Sequence, residues 1–189
     1  LDMIKYIVEK DPSTAEMRDD SSYTVLLMAI KHGSLDIVKY LYDNHPPDFR
    51  FIEYVPVIET IRSGSLNILK YLIEERNSSL TAGILDPIRL AVENERHRLS
   101  ILRYIIGKKN ISFTNIDTLF EVVRRDDLHS MRYLLDDTNI VFDLNSLNAR
   151  DETVLHGVTS ETMCRYLLRH GADVNKRNKK GETPLHSAV

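Results

Sequence analysis

The chain carries several groups that could do chemistry. Asp126-Asp127 and Asp136-Asp137 are adjacent acids. Two carboxylates in one pocket can divide the roles of general acid and general base once their pKa values are pushed apart. Cys164 is the single thiol of 189 residues, a nucleophile where a neighbouring cation holds it as thiolate. His156, His170 and His186 could carry protons near neutral pH. Six tyrosines each follow a basic residue, in Lys5-Tyr6, Lys39-Tyr40, Lys70-Tyr71, Arg103-Tyr104, Arg132-Tyr133 and Arg165-Tyr166. Phosphorylation of such a series would build a ladder of charge.

The spacing assigns most of these groups to structure rather than catalysis. One acid pair falls in a turn between helices and the other just after a helix, both solvated places, whereas acid–base work needs a pocket and a shifted pKa. Cys164 occupies the register position of Val38 and Leu69, the apolar face of a helix, and reads as a core thiol. His170 lies at a helix C-terminus, where positive charge is favoured. No phosphate loop, dinucleotide fingerprint or paired zinc-ligand motif occurs. The expectation is a chain with no catalytic residues, no metal site and no cofactor. A net charge of −3 argues against nucleic acid as partner. No apolar run reaches the roughly 20 residues of a membrane span. A lone cysteine allows no intrachain disulfide and points to the cytoplasm or nucleus.

The elements that hold these residues repeat. The six tyrosines are 34, 31, 33, 29 and 33 residues apart, and each is flanked by apolar residues on both sides. A period near 33 marks stacked supersecondary units. Leu35, Val38, Leu41 and Tyr42 form one apolar stripe at helical spacing. A second apolar segment precedes each tyrosine helix, at 24–31, 56–62, 87–93, 118–124 and 153–158. Glycine separates the two in His32-Gly33-Ser34 and Ser63-Gly64-Ser65, as suits a helix end entering the left-handed region. The unit is helix, tight turn, helix, connector. The tyrosines are read as seam packing, with hydroxyls reaching water.

At the C-terminal end, Gly171-Ala172-Asp173-Val174-Asn175 and then Gly181-Glu182-Thr183-Pro184-Leu185-His186-Ser187-Ala188 resemble the ankyrin repeat. The degenerate copies Thr24-Val25-Leu26-Leu27-Met28-Ala29 and Thr153-Val154-Leu155-His156 keep its frame, and Pro56 and Pro87 stand where the family has proline. The resemblance implies an all-α solenoid of stacked helix-turn-helix units with short β-hairpin-like connectors. About five full repeats are expected, with half-repeats at both ends. The boundaries are 1–18 for a partial repeat, then 19–50, 51–81, 82–113, 114–147 and 148–177, and 178–189 for a second partial repeat, all in one array that reads as an excerpt of a longer protein. In this frame Thr183 caps a helix, Pro184 takes its first position and Leu185 begins the buried stripe. The resemblance suggests that His186 bonds backbone. Two irregularities are expected: a longer turn before Arg98, around His97, and a trimmed helix between Thr153 and Leu167.

Ankyrin repeats bind other proteins through hairpin tips and the exposed side of the first helices. Those places hold Lys31-His32, Arg62-Ser63, Glu93-Asn94 and Arg124-Arg125, and at the last tip Lys176, Arg177, Lys179 and Lys180, with Tyr23 at an earlier edge. Phe49, Phe51 and Tyr54 could add aromatic contacts. The expected function is a protein-interaction module, a scaffold or adaptor, whose basic groove holds an acidic segment of a partner protein. Two alternatives stay open: substrate recognition for an enzyme or ubiquitin-ligase component whose catalytic part lies elsewhere, and a viral or bacterial host-directed effector. Asn175 resembles an asparagine that some ankyrin domains present for hydroxylation.

Overall fold

A computed structural model describes residues 1–46, 55–80, 86–108 and 116–188. The named elements of the described residues are all helical, and the chain folds as two compact units, Leu1–Ile105 and Ile106–Val189. The first unit contains α1 (Asp2–Lys10), α2 (Val25–Lys31), α3 (Leu35–Asn44), α4 (Val55–Ser63), α5 (Leu66–Lys70), α6 (Pro87–Glu93) and most of α7 (Arg98–Ile106). The second contains α8 (Ile116–Arg124), α9 (Leu128–Asp136), α10 (Glu161–Arg169) and α11 (Pro184–Ser187).

The helices begin where the side chains allow it. The Thr24 hydroxyl accepts from the Leu27 N–H, the Asp86 carboxylate from the Ile88 and Arg89 N–H groups, the Asp127 carboxylate from Ser130, and the Ser160 hydroxyl from Met163. Each satisfies an N–H that has no partner inside its own helix. Helix pairs then close by one repeated turn. The Ser34 N–H donates to the Ala29 carbonyl, Ser65 to Thr60 and Asp127 to Val122, while Gly33, Gly64 and Asp126 donate to Ile30, Ile61 and Val123. This is a Schellman closure, which requires a left-handed residue. Asp126 adopts it, with φ 50°, in the place glycine fills at Gly64.

Packing follows the layers. In the first unit α2 lies against α3 and α4, and α4 against α5 and α6; in the second α8 lies against α9 and a 3₁₀ turn at Val154–Gly157, which also carries α11. The apolar register of the second helices is the core. Val38, Leu69, Leu72, Ile101, Leu102, Ile105, Met131, Leu134, Met163 and Leu167 are fully buried. The expected trimming after Thr153 appears as that 3₁₀ turn in place of an α-helix, and the longer turn before α7 runs from Asn94 to His97.

The expected hairpin-like connectors close as tight turns, with a single isolated antiparallel bridge, Arg18 to Thr24, among the described residues. Two expectations are corrected. Leu185 is 71% exposed and Pro184 is buried instead, because α11 packs on one side only, against the 3₁₀ turn. Cys164 is half-buried rather than core; it lines a shallow apolar cleft with Leu155, Val174, Pro184 and Leu185, where its counterparts in preceding layers are covered. The expected contacts of Phe49, Phe51 and Tyr54 lie outside the described residues.

Candidate protein-interaction surface

In the first unit the ends of α2 and α4 bring three of the expected residues together. The Lys31 Nζ lies 4.9 Å from the centre of the Tyr23 ring, a cation–π contact. The Tyr23 hydroxyl donates to Glu59 Oε2 at 3.3 Å. The Glu59 charge, then partial burial, raises the Tyr23 pKa, and Arg62 opposes that rise. Glu59 was missed by the sequence reading, although it stands three residues before Arg62, a spacing that places both on one helix face. His32 is exposed at the end of α2.

Asn94 is not a groove residue. Its side chain is turned inward, only 7% exposed. Its Nδ2 donates to the Ile61 and Arg62 carbonyls at 3.1 and 2.9 Å, while its Oδ1 accepts from the Arg96 and His97 N–H groups at 3.1 and 2.7 Å. It joins the end of α4 to the start of α7. Glu93 beside it pairs with Arg89 at 3.5 Å.

In the second unit Arg124 ends α8 and Arg125 follows it, but both hold Glu121. Arg124 approaches its carboxylate at 2.6 Å and Arg125 at 2.5 Å. The Arg124 hydrogen bond, outweighing a desolvation penalty and helped by Arg125, holds the Glu121 carboxyl below the usual range. Glu121 at i−3 and i−4 therefore removes one of the two positive charges assigned to this place, and the spacing that shows it was readable.

The tips share one device. At 19–23, 148–152 and 178–182 the first residue's N–H donates to the carbonyl of the fifth. Its side-chain oxygen accepts from the third and fifth N–H groups: Asp19 from Ser21 and Tyr23, Asn148 from Arg150 and Glu152, Asn178 from Lys180 and Glu182. Asx side chains stabilise turns in this way. The last tip presents Lys176, Arg177, Lys179 and Lys180, all exposed. Lys179 reaches back to Asp151 of the preceding tip at 2.6 Å, and His156 Nε2 meets the Glu182 carbonyl at 3.1 Å. The ring Nδ1 atoms of His156 and His186 take the Thr153 and Thr183 N–H groups, so both histidines bind backbone. The Asn175 side chain is exposed, and its N–H is held by Asp173.

The repeated basic-tyrosine pair has a reason that spacing alone did not show. The cation of one copy lies over the tyrosine of a neighbouring copy: Lys5 over Tyr40, Lys39 over Tyr71 and Lys70 over Tyr104 in the first unit. In the second unit Arg132 lies over Tyr166. Hydroxyls expected to reach water bond carboxylates instead, Tyr104 with Glu74 at 3.1 Å and Tyr166 with Asp136 at 2.7 Å. Asp136 is thus not merely solvated. His170 joins it, with Nε2 at 2.8 Å from Asp136 and Nδ1 at 2.8 Å from the Tyr166 carbonyl.

Both His170 ring nitrogens face oxygens that only accept, an arrangement that suits the imidazolium. The Tyr166 carbonyl, then the Asp136 carboxylate, raises the His170 pKa against some desolvation. The Tyr166 hydroxyl and then His170 lower that of Asp136. The His170 contribution to stability is fully present below its unfolded value of about 6.5 and is lost as pH rises through the folded value. The Asp136 contribution is present above about 3.9 and is lost as pH falls through its lowered folded value. An NMR titration of His170 is expected to have its midpoint above about 6.5, and Asp136→Asn to bring it down. A native midpoint at or below that figure would contradict the assignment.

Among the described residues no helix is long and apolar enough to cross a membrane, and no group of three His, Cys, Asp or Glu side chains could hold a metal ion. No curated protein matches the sequence. Many solved structures share the fold, and two illustrate it. The human ASB11 ankyrin repeat domain is 19% identical, with a TM-score of 0.73 over 98% of this chain and 85% of that one. A chain from the complex of the Bd0816 predatory endopeptidase of Bdellovibrio bacteriovorus with immunity protein Bd3460 is 20% identical, with a TM-score of 0.63 over 91% and 92%. Family models described as ankyrin repeats (many copies) and ankyrin repeats (3 copies) match residues 1–41 and 119–189, more than half of the sequence between them. With helix pairs, Schellman turns and Asx tips repeating in both units, this chain belongs to the ankyrin repeat family.

Proposed function

We propose that the chain is a non-catalytic scaffold or adaptor module that binds an acidic segment of a partner protein. One observation supports this reading most directly. Lys176, Arg177, Lys179 and Lys180 are all exposed on a turn whose backbone is held by Asn178. A rigid, cationic tip loses little conformational freedom on binding and attracts acidic surface. The cluster at Tyr23, Lys31 and Arg62 offers a second patch of mixed charge and aromatic surface. Arg124 and Arg125 are weaker candidates because Glu121 already occupies both.

The test is quantitative binding of a synthetic acidic peptide and of partner proteins captured from cell extract, at several salt concentrations. Lys179→Glu with Lys180→Glu is expected to weaken binding about tenfold or more and to flatten its salt dependence, while Arg124→Glu with Arg125→Glu changes it by less than about threefold. Equal affinity of the native chain and the tip variant, with no salt dependence, would remove the tip from the proposal. Asn175 is proposed as a hydroxylation position on its exposure within the Asp173-Val174-Asn175 turn; a mass gain of one oxygen atom on that residue tests it. The cytoplasm or nucleus is the proposed location, on the single cysteine and the absence of any possible intrachain disulfide.

A further inference from the structure

A second charged surface lies on the tyrosine-bearing helices of the second unit, away from the tip residues. A cleft of about 340 Å³ between α9 and α10 is lined by Leu128, Arg132, Glu161, Arg165, Tyr166 and Arg169, with Thr162 at its edge. Arg165 and Arg169 are one helical turn apart and so share a face of α10. Arg132 reaches the same cleft from α9, with its guanidinium 5.9 Å from the Tyr166 ring centre. Three arginines therefore line one hollow, together with an aromatic and an aliphatic side chain.

The opposing charges that line the cleft are few. Glu161 is the one lining acid, and it holds Arg165 at 2.6 Å, with both side chains largely exposed. Asp136, at the end of α9, is taken up by the Tyr166 hydroxyl and by His170, and Asp137, which ends that helix through its backbone N–H, is not part of the lining. Arg132 and Arg169 make no ion pair among the described residues. The lining thus has a net charge of +2, three arginines against one glutamate, in a chain whose net charge is −3. That contrast disfavours a long polyanion, which the rest of the molecule repels, and favours a compact anion with a large local charge.

We propose that this cleft is a phosphate-binding site for a phosphorylated segment of a partner protein. A phosphoryl group brings a charge of about −1.5 to −2 and three acceptor oxygens. It can engage the planar donor forks of Arg132 and Arg169 and compete with Glu161 for Arg165, where a single exposed carboxylate would gain little. Leu128 and the Tyr166 ring provide apolar surface for the side chain that carries it.

The probe is a set of phosphorylated peptides, with their unphosphorylated counterparts, inorganic phosphate, anionic phospholipid vesicles and single-stranded RNA as the other arms. Phosphopeptides are expected to bind the whole chain at least about tenfold more tightly than the unphosphorylated set. Arg165→Gln with Arg169→Gln should abolish that preference, while Lys179→Glu with Lys180→Glu weakens both peptide sets alike, so that the ratio between them persists and separates this cleft from the basic tip. Perturbation of the Arg132, Arg165 and Arg169 Nε–H signals on adding phosphopeptide gives a readout independent of any variant's fold. Equal binding of phosphorylated and unphosphorylated peptides overturns the proposal. So does a preference that survives loss of both arginines in a folded variant, or binding confined to inorganic phosphate, vesicles or RNA.

Discussion

Asn94→Ala is expected to lower the unfolding free energy of the first unit by about 3 kcal/mol. The side chain makes four hydrogen bonds from a nearly buried position. Two go to carbonyls in the last turn of α4, Ile61, which also accepts from the Gly64 N–H, and Arg62; the last carbonyls of a helix lack intrahelical partners. The other two fix the turn from Asn94 to His97 that starts α7. Alanine removes all four and leaves backbone groups unpaired at the junction of two layers. Aspartate is the sharper control. It keeps the two acceptor contacts of Oδ1 but puts carboxylate oxygen against two carbonyls. Asn94→Asp should therefore be nearly as damaging near neutral pH and recover in part in acid, where the carboxyl can donate. Urea unfolding of the three proteins at two pH values is the measurement. A loss under about 1 kcal/mol for Asn94→Ala would show that water replaces the amide freely.

Gly64→Ala is expected to cost about 2–4 kcal/mol, against about 1 kcal/mol for Gly33→Ala. Both glycines close a helix pair with positive φ, 76° and 71°, so both variants carry the left-handed penalty. Space separates them. A Cβ on Gly33 would meet only Ser65 Oγ, at 3.5 Å, whereas one on Gly64 would lie 2.7 Å from His97 Cδ2, 2.9 Å from Asn94 Nδ2 and 3.1 Å from His97 Cβ. The His97 ring can swing aside, but Asn94 is held at both ends. The two predictions are therefore coupled: in the double variant, alanine at 94 vacates part of the space that alanine at 64 needs. The combined loss should fall below the sum of the single losses by about 1 kcal/mol. Strict additivity in a double-mutant cycle would mean that the collision with Asn94 is not what Gly64 avoids.

Several contacts of the candidate surface were within reach of the sequence. Glu121 stands at i−3 and i−4 from Arg124 and Arg125, so its neutralising role follows from helical spacing. The Asx tips at Asp19, Asn148 and Asn178 are signalled by the residue type at a turn. The structural part of His156 and His186 was likewise implied by the repeat motif, and both do bond backbone. Asn94 was different. At the end of an apolar stripe, an asparagine is equally suited to solvent or to a buried cap. The outcome depends on where the end of α4 comes to rest, some thirty residues away in sequence.

The sequence by itself determined the two-helix unit, its period, the apolar faces and the family. These depend on spacing of 3.6 residues per turn and on capping chemistry, which are local. Tertiary structure decided which charges remain available and what the basic-tyrosine pairs do. Lys39 lies over Tyr71, and Asp136 bonds both Tyr166 and His170; each contact spans neighbouring layers. A side chain's charge can be read from its type, but its partner is set by the rise and rotation from one layer to the next. Those follow from how the buried faces interlock, not from the local spacing of the residues.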